Sequence, residues 1–145
     1  MGLETPTYVN DLVSTNPTIS DGIAQGDDHI RNLKSAVQGT FPGMAGKFSR
    51  VQNKSGAYTA VLNDNTSILR TTSTLELALT AAPTLGNGWY IMVFNDGAGI
   101  ITVNPNASET INEAATLTIA AGVAAIIYCD GTEFIAIVLS VNETI

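Results

Sequence analysis

Residues 123 to 139 read Val-Ala-Ala-Ile-Ile-Tyr-Cys-Asp-Gly-Thr-Glu-Phe-Ile-Ala-Ile-Val-Leu. Two apolar runs rich in β-branched residues flank Asp130-Gly131, a pair that tolerates the positive φ of a tight hairpin turn. The stretch predicts strands over 123–129 and 133–139. Both runs are almost continuously apolar where a half-buried strand would alternate, so both faces of these strands should be covered. In a domain of only about 95 residues, the second face is a place for another subunit.

Working outward, further short runs predict strands over 58–62, 67–70, 75–79, 89–94, 100–103 and 116–119. In Leu75-Glu76-Leu77-Ala78-Leu79 the leucines fall on one face. Asn95-Asp96-Gly97 reads as a second hairpin turn, and Gly86-Asn87-Gly88 breaks the chain before Trp89. Trp89, Tyr90, Tyr128 and Phe134 belong mostly to the core, although alternation requires Trp89 or Tyr90 to face outward. Eight short strands with frequent turns predict a mainly β chain whose domain over 47–145 is a β-sandwich, jelly-roll-like.

The N-terminal part, 1–46, has a different period. Pro6, Pro17 and many Asn, Asp, Ser and Thr predict an extended arm over 1–19, with at most a short strand around Tyr8 and Val9. A helix should start near Ser20 or Asp21, whose side-chain oxygens can cap it, and run to about Gln38. Gly39 is then the C′ residue, and Phe41-Pro42 stops the helix because Pro42 has no amide hydrogen. Ile23, Gly26, Ile30, Leu33 and Val37 recur at spacings of three and four, a narrow stripe suited to self-association. Ile23, Ile30, Leu33 and Val37, with Phe41, form the candidate oligomer and attachment interface. The alternative is that the stripe docks on the chain's own second domain. Gly39 to Lys47, with three glycines and a proline, marks the boundary between the two parts.

Charge narrows the partners. The six basic residues end at Arg70, and Glu76, Asp96, Glu109, Glu113, Asp130, Glu133 and Glu143 follow, so the whole net charge of −7 falls after residue 70. Nucleic acid and anionic membrane both demand Lys and Arg, so neither is an expected partner. No run approaches the roughly 18 apolar residues of a membrane span, and Met1 to Pro6 lacks the basic start and apolar core of a signal peptide. Synthesis in a cytoplasm is expected. A charged fraction of 13% beside 45% hydrophobic residues suits a β-rich structural protein.

No residue pattern carries catalysis, a metal or a cofactor. His29 is the sole histidine, and Asp27 is placed to pair with Arg31 at i,i+4. Glu109 and Glu113, four residues apart like paired carboxylates for glycoside hydrolysis, lie in a turn and short strand where they should not converge. Asn95, Asp96 and Asn104 offer oxygens for calcium but lack its loop spacing, and turn chemistry accounts for them. Cys129, the only cysteine, reads as a small buried hydrophobe.

Two groups of short motifs carry a resemblance. Gly-Asp-Asp-His-Ile-Arg from Gly26, then a helix, then Thr-Phe-Pro-Gly from Thr40, resembles the N-terminal region of many tail-fibre and other virion proteins of tailed bacteriophages. Ser-Ile-Leu-Arg-Thr-Thr from Ser67, Leu-Gly-Asn-Gly from Leu85, Asn-Asp-Gly-Ala-Gly from Asn95, Ser-Glu-Thr-Ile-Asn from Ser108 and Cys-Asp-Gly-Thr from Cys129 resemble a small β-domain recurrent in the same proteins. Together they span 5–46 and 57–138. The resemblance implies a non-enzymatic virion protein, a short homotrimeric tail fibre or fibre-adaptor. Its arm and helix would attach to other virion proteins of the tail or baseplate. The alternatives are a capsid decoration (cement) protein and a carbohydrate-binding module that recognises a host surface glycan. A long fibre would continue for hundreds of residues past such domains, whereas this sequence stops at Ile145.

Overall fold

The computed structural model describes residues 5–15, 22, 25–41 and 49–140, and the chain divides into two compact units, Met1–Pro42 and Gly43–Ile145. In the first unit helix α1 spans Gly26–Thr40. Asp27 and Asp28 in its first turn suit the positive end of the helix dipole, and both pair with Arg31 one turn on, Asp28 Oδ1 at 2.8 Å. The expected start at Ser20 or Asp21 lies outside the described residues.

The expected end is corrected. Gly39 and Thr40 are helical, and the cap is Phe41, whose N–H donates to Val37 O at 3.1 Å. Gly39 serves a close approach in place of a C′ turn, since a Cβ there would run into the carbonyl of Thr7. The short strand expected around Tyr8 and Val9 is a 3₁₀ turn, Val9–Asp11. Asp11 Oδ2 accepts from the amides of Thr7 at 3.1 Å and Tyr8 at 2.9 Å, and Val9 N–H donates to Thr40 Oγ1 at 2.7 Å. These amides are satisfied by side chains, which leaves nothing to build a ladder.

The second unit is mainly β, with mixed sheets. Its strands are β1 (Val51–Lys54), β2 (Tyr58–Ala60), β3 (Ile68–Thr71), β4 (Leu75–Leu79), β5 (Tyr90–Asn95), β6 (Ile101–Asn104), β7 (Leu117–Ile119), β8 (Ala124–Cys129) and β9 (Phe134–Leu139). One sheet has the order β1-β3-β5-β8-β9 and the other β2-β4-β6-β7. Successive strands from β1 to β6 alternate between the sheets, and β1, β3, β5 and likewise β2, β4, β6 pair in parallel. The chain is therefore wound in three stacked coils. Antiparallel β7 closes one sheet and the β8–β9 hairpin extends the other.

A jelly roll is built from antiparallel strands, so the jelly-roll pairing expected from sequence is not the pairing found. Nor is Asn95-Asp96-Gly97 a hairpin turn, because β5 and β6 belong to different sheets; it is the corner where the chain crosses between them. Asp130-Gly131 does turn the β8–β9 hairpin, with Gly131 at φ 93°.

Inward residues of both sheets share one core. Leu69, Ile91, Val93, Ala125, Ile127, Phe134 and Ala136 come from the five-stranded sheet, and Ala60, Leu75, Leu77, Leu79, Ile101, Val103 and Ile119 from the other. Helix α2 (Ala82–Leu85) and Trp89 fill one end of it. Gly86 and Gly88, at φ 81° and 90°, bring the chain from α2 into β5.

Candidate functional site

Three kinds of surface or cluster deserve a functional reading: the stripe on α1, the polar clusters of the coiled unit, and the outward faces of its sheets. On α1 the stripe is realised as exposed surface. Ile30, Leu33, Val37 and Phe41 are between 42% and 55% exposed, while Ala36, on a different face, is the helix's one buried residue. Ile23, the first member of the predicted set, lies outside the described residues. Four large apolar side chains at spacings of three and four, three on a 15-residue helix and Phe41 at its cap, cost free energy in water unless another surface covers them.

The polar clusters are built into the coils. Asp64 sits in a 3₁₀ turn, Leu62–Asp64, between β2 and β3 and is buried. Its Oδ2 accepts from Tyr58 Oη at 2.8 Å and from Val61 N–H at 2.9 Å, and its Oδ1 accepts from Gln52 Nε2 at 2.7 Å. Arg50 stands 3.5 Å from Oδ1 and donates to Asn63 O at 2.5 Å. The carboxylate thus ties β1, β2 and the turn into the first coil. Sequence reasoning missed it, because a single Asp in a Leu-Asn-Asp-Asn run looks like ordinary turn chemistry.

Tyr58 registers this environment. Burial first, and then its hydrogen bond to the Asp64 carboxylate, push the phenol up to about 12. The folded chain therefore holds this proton more tightly than the unfolded chain. Its contribution is complete below about pH 10 and is lost as pH rises from about 10 to about 12. Tyr58→Phe, which removes the hydrogen bond, should cost roughly 1.5 kcal/mol near pH 7. The gap from wild type should narrow above about pH 10, and urea unfolding at neutral and alkaline pH checks this. A gap that stays constant would contradict the assignment.

Asn95 plays a comparable part at the opposite corner. It is buried; Nδ2 donates to Gly99 O at 2.8 Å and Ile119 O at 2.9 Å, and Oδ1 accepts from Gly97 N–H at 3.1 Å. Asp96 pairs with Arg70, and Asn104 Nδ2 donates to Glu76 Oε2 at 3.4 Å. The three residues considered for calcium are thus engaged separately.

The two glutamates also diverge. Glu109 Oε1 accepts from Ala82 N–H at 3.0 Å at the start of α2, whereas Glu113 is exposed in a turn at φ 65°. Thr110 donates from its amide and its hydroxyl to Glu133 Oε2, and Asp130 Oδ1 accepts from the amides of Thr132 and Glu133, both at 2.8 Å. Those backbone donors, Glu133 first, hold the Asp130 carboxyl below its ordinary range. Cys129 is buried, and desolvation pushes its thiol up, which disfavours the nucleophilic thiolate. Among the described residues no three of His, Cys, Asp and Glu gather as a metal site would need. No helix among them is long and apolar enough to cross a membrane.

The outward faces of the two sheets differ. That of the four-stranded sheet carries Thr59, Glu76, Thr102, Asn104 and Thr118 and holds a shallow cleft of about 210 Å³ lined by Ala57, Tyr58, Thr59, Glu76, Ala78 and Asn104. Tyr58 is the aromatic ring there, but Lys54 Nζ lies 3.4 Å from its centroid and its hydroxyl is spent on Asp64. It makes a poor open platform for a sugar. The outward face of the five-stranded sheet is apolar over β5, β8 and β9 and turns polar at Arg70 and Asn53 on β3 and β1. No protein-family model matches this chain, and a search of curated proteins found no match.

Proposed function

We propose that this chain is a non-enzymatic, self-assembling structural protein of a tailed-bacteriophage virion, a short trimeric tail fibre or fibre-adaptor attached through its arm and helix. The observation that carries the reading is the exposed stripe Ile30, Leu33 and Val37 on a helix that packs against the 3₁₀ turn of its own arm, continued by Phe41 at its cap. Its motif resemblance to fibre proteins supplies the setting. In this reading the two sheets, which share one core, are the layers of a sandwich-like body that projects from the particle or meets a partner. The polar side chains of these clusters are engaged in holding turns and coils, which suits a scaffold.

The test is particle assembly. Deleting residues 1–38 should leave a folded β unit that no longer enters virions, and normal incorporation of the truncation would defeat the attachment role. In solution the full chain should have the mass of three copies by light scattering. Replacing Ile30 and Leu33 together by Asp should weaken association at least tenfold, since two charges per chain would be desolvated in the seam. A wild-type mass of one or two chains would defeat the trimer. Copies per virion decide between tail and capsid placement: tens fit a tail part, hundreds a decoration.

A further inference from the structure

On the five-stranded sheet the register lines outward side chains into rows that cross the strands. Val51, Ile68, Met92, Ile126 and Ile137 are successive Cα partners from β1 to β9. A second row joins Tyr90, Tyr128 and Ile135, with the two tyrosine rings 5.4 Å apart, and a third runs from Phe94 through Ala124 to Leu139. Val51, Tyr128, Ile135, Ile137 and Leu139 are exposed and the others half-buried. Taking residue areas of about 150–250 Å², the five exposed members alone leave roughly 360–600 Å² of mostly apolar surface in water, and the half-buried members add to it. Monomers rarely leave more than about 300–600 Å², and each partner in a standard interface contributes about 800 Å².

We propose that this face is a second self-association surface, covered by the same face of other copies of this chain. The argument for a copy is charge and area together. At −7 per chain, copies repel one another, so any contact between them must fall where the charge is absent. Over β5, β8 and β9 these rows hold no charged side chain; the third row continues past Phe94 to Arg70 and Asn53, where the Arg70 charge is paired with Asp96. The opposite sheet shows what the same unit does with a face meant for water: apart from Ala78, its outward positions are Thr, Asn and Glu. Apolar contact is non-directional, so the patch can meet the same patch of another copy, and a face turned toward a three-fold axis meets both neighbours. The inference rests on the self-assembly in the proposed function but uses residues separate from the helix stripe.

Sedimentation equilibrium of the full chain tests it. Ile135→Asp with Ile137→Asp should shift association to at least a hundredfold higher concentration. Ile137→Thr, which keeps a β-branched side chain in the strand, should shift it about tenfold. Both positions are half exposed in the single chain, so folding, followed by circular dichroism, should survive. Thr118→Asp, which adds charge to the outward face of the other sheet, should leave the curve unchanged. The inference is overturned if the wild type is monomeric, if the Ile135/Ile137 variant associates like the wild type, or if Thr118→Asp weakens association equally. Run alongside, the Ile30/Leu33 variant separates the two surfaces. Weakening there with none at Ile135/Ile137 overturns this face and leaves the helix seam standing; the reverse supports this face and removes the seam.

Discussion

Asp64→Ala should destabilise the coiled unit by about 3–5 kcal/mol, the range for breaking a buried charged pair. That is a large part of the roughly 5–15 kcal/mol by which a domain is stable. Three donors would lose their acceptor at once, Tyr58 Oη, Gln52 Nε2 and Val61 N–H, and the Arg50 guanidinium would lose its buried countercharge. The carboxylate's partners all belong to the first coil, so the loss should appear first as exposure of β1 and β2 to hydrogen exchange. Asp64→Asn keeps an acceptor but presents an NH₂ where one oxygen accepted, and should fall between wild type and alanine. Urea unfolding measures both. A loss under about 1 kcal/mol for the alanine variant would mean that water replaces the carboxylate without penalty.

The second large effect is expected at Gly97. A Cβ built there would lie 2.7 Å from the carbonyl carbon of Thr72 and 2.9 Å from the amide nitrogen of Ser73, both backbone atoms of the coil stacked above. Backbone cannot rotate away as a side chain can, so Gly97→Ala must pry the corner of coil three from that of coil two. Overpacking of this kind costs roughly 2–3 kcal/mol. It should also disturb the neighbouring hydrogen bond from Asp96 N–H to Thr71 O, now 2.8 Å. Gly56, at the same corner of the first coil, has nothing within 4 Å of its would-be Cβ and no positive φ. Gly56→Ala should therefore change stability by less than about 0.5 kcal/mol. Thermal unfolding of the pair tests the stacking, and equal effects at both glycines would contradict it.

How much of this fold is legible in the sequence depends on the range of the signal. Leu75, Leu77 and Leu79 are buried on one face of β4, as their alternation predicts, because burial of one face writes itself into every second residue. Strand β1 was not legible: Val51-Gln52-Asn53-Lys54 is a polar edge strand, paired on one side only, so nothing selects apolar residues in it. Helix α2 was missed for its length, Ala82–Leu85, and its Pro83. The candidate stripe on α1 was legible from its spacing, and Ile30, Leu33, Val37 and Phe41 do line up on exposed surface.

By itself, then, the sequence determined the local matters: a mainly β chain after a helix with an apolar stripe, the hairpin at Asp130-Gly131, the glycine break before Trp89, and two strands apolar on both faces. These are decided by φ preferences and by residue period, which act over a few neighbours. Only the tertiary structure decided that β1 to β6 wind as parallel coils. Val51, Ile68 and Met92 are register partners spaced by 17 and then 24 residues, an uneven interval that leaves no repeat to read. It also decided that Asp64 is a buried acceptor, that Asn95-Asp96-Gly97 is a corner between sheets, and which apolar face is left outward. Those outcomes depend on which strand lies beside which, and stacking across the core sets that where alternation cannot.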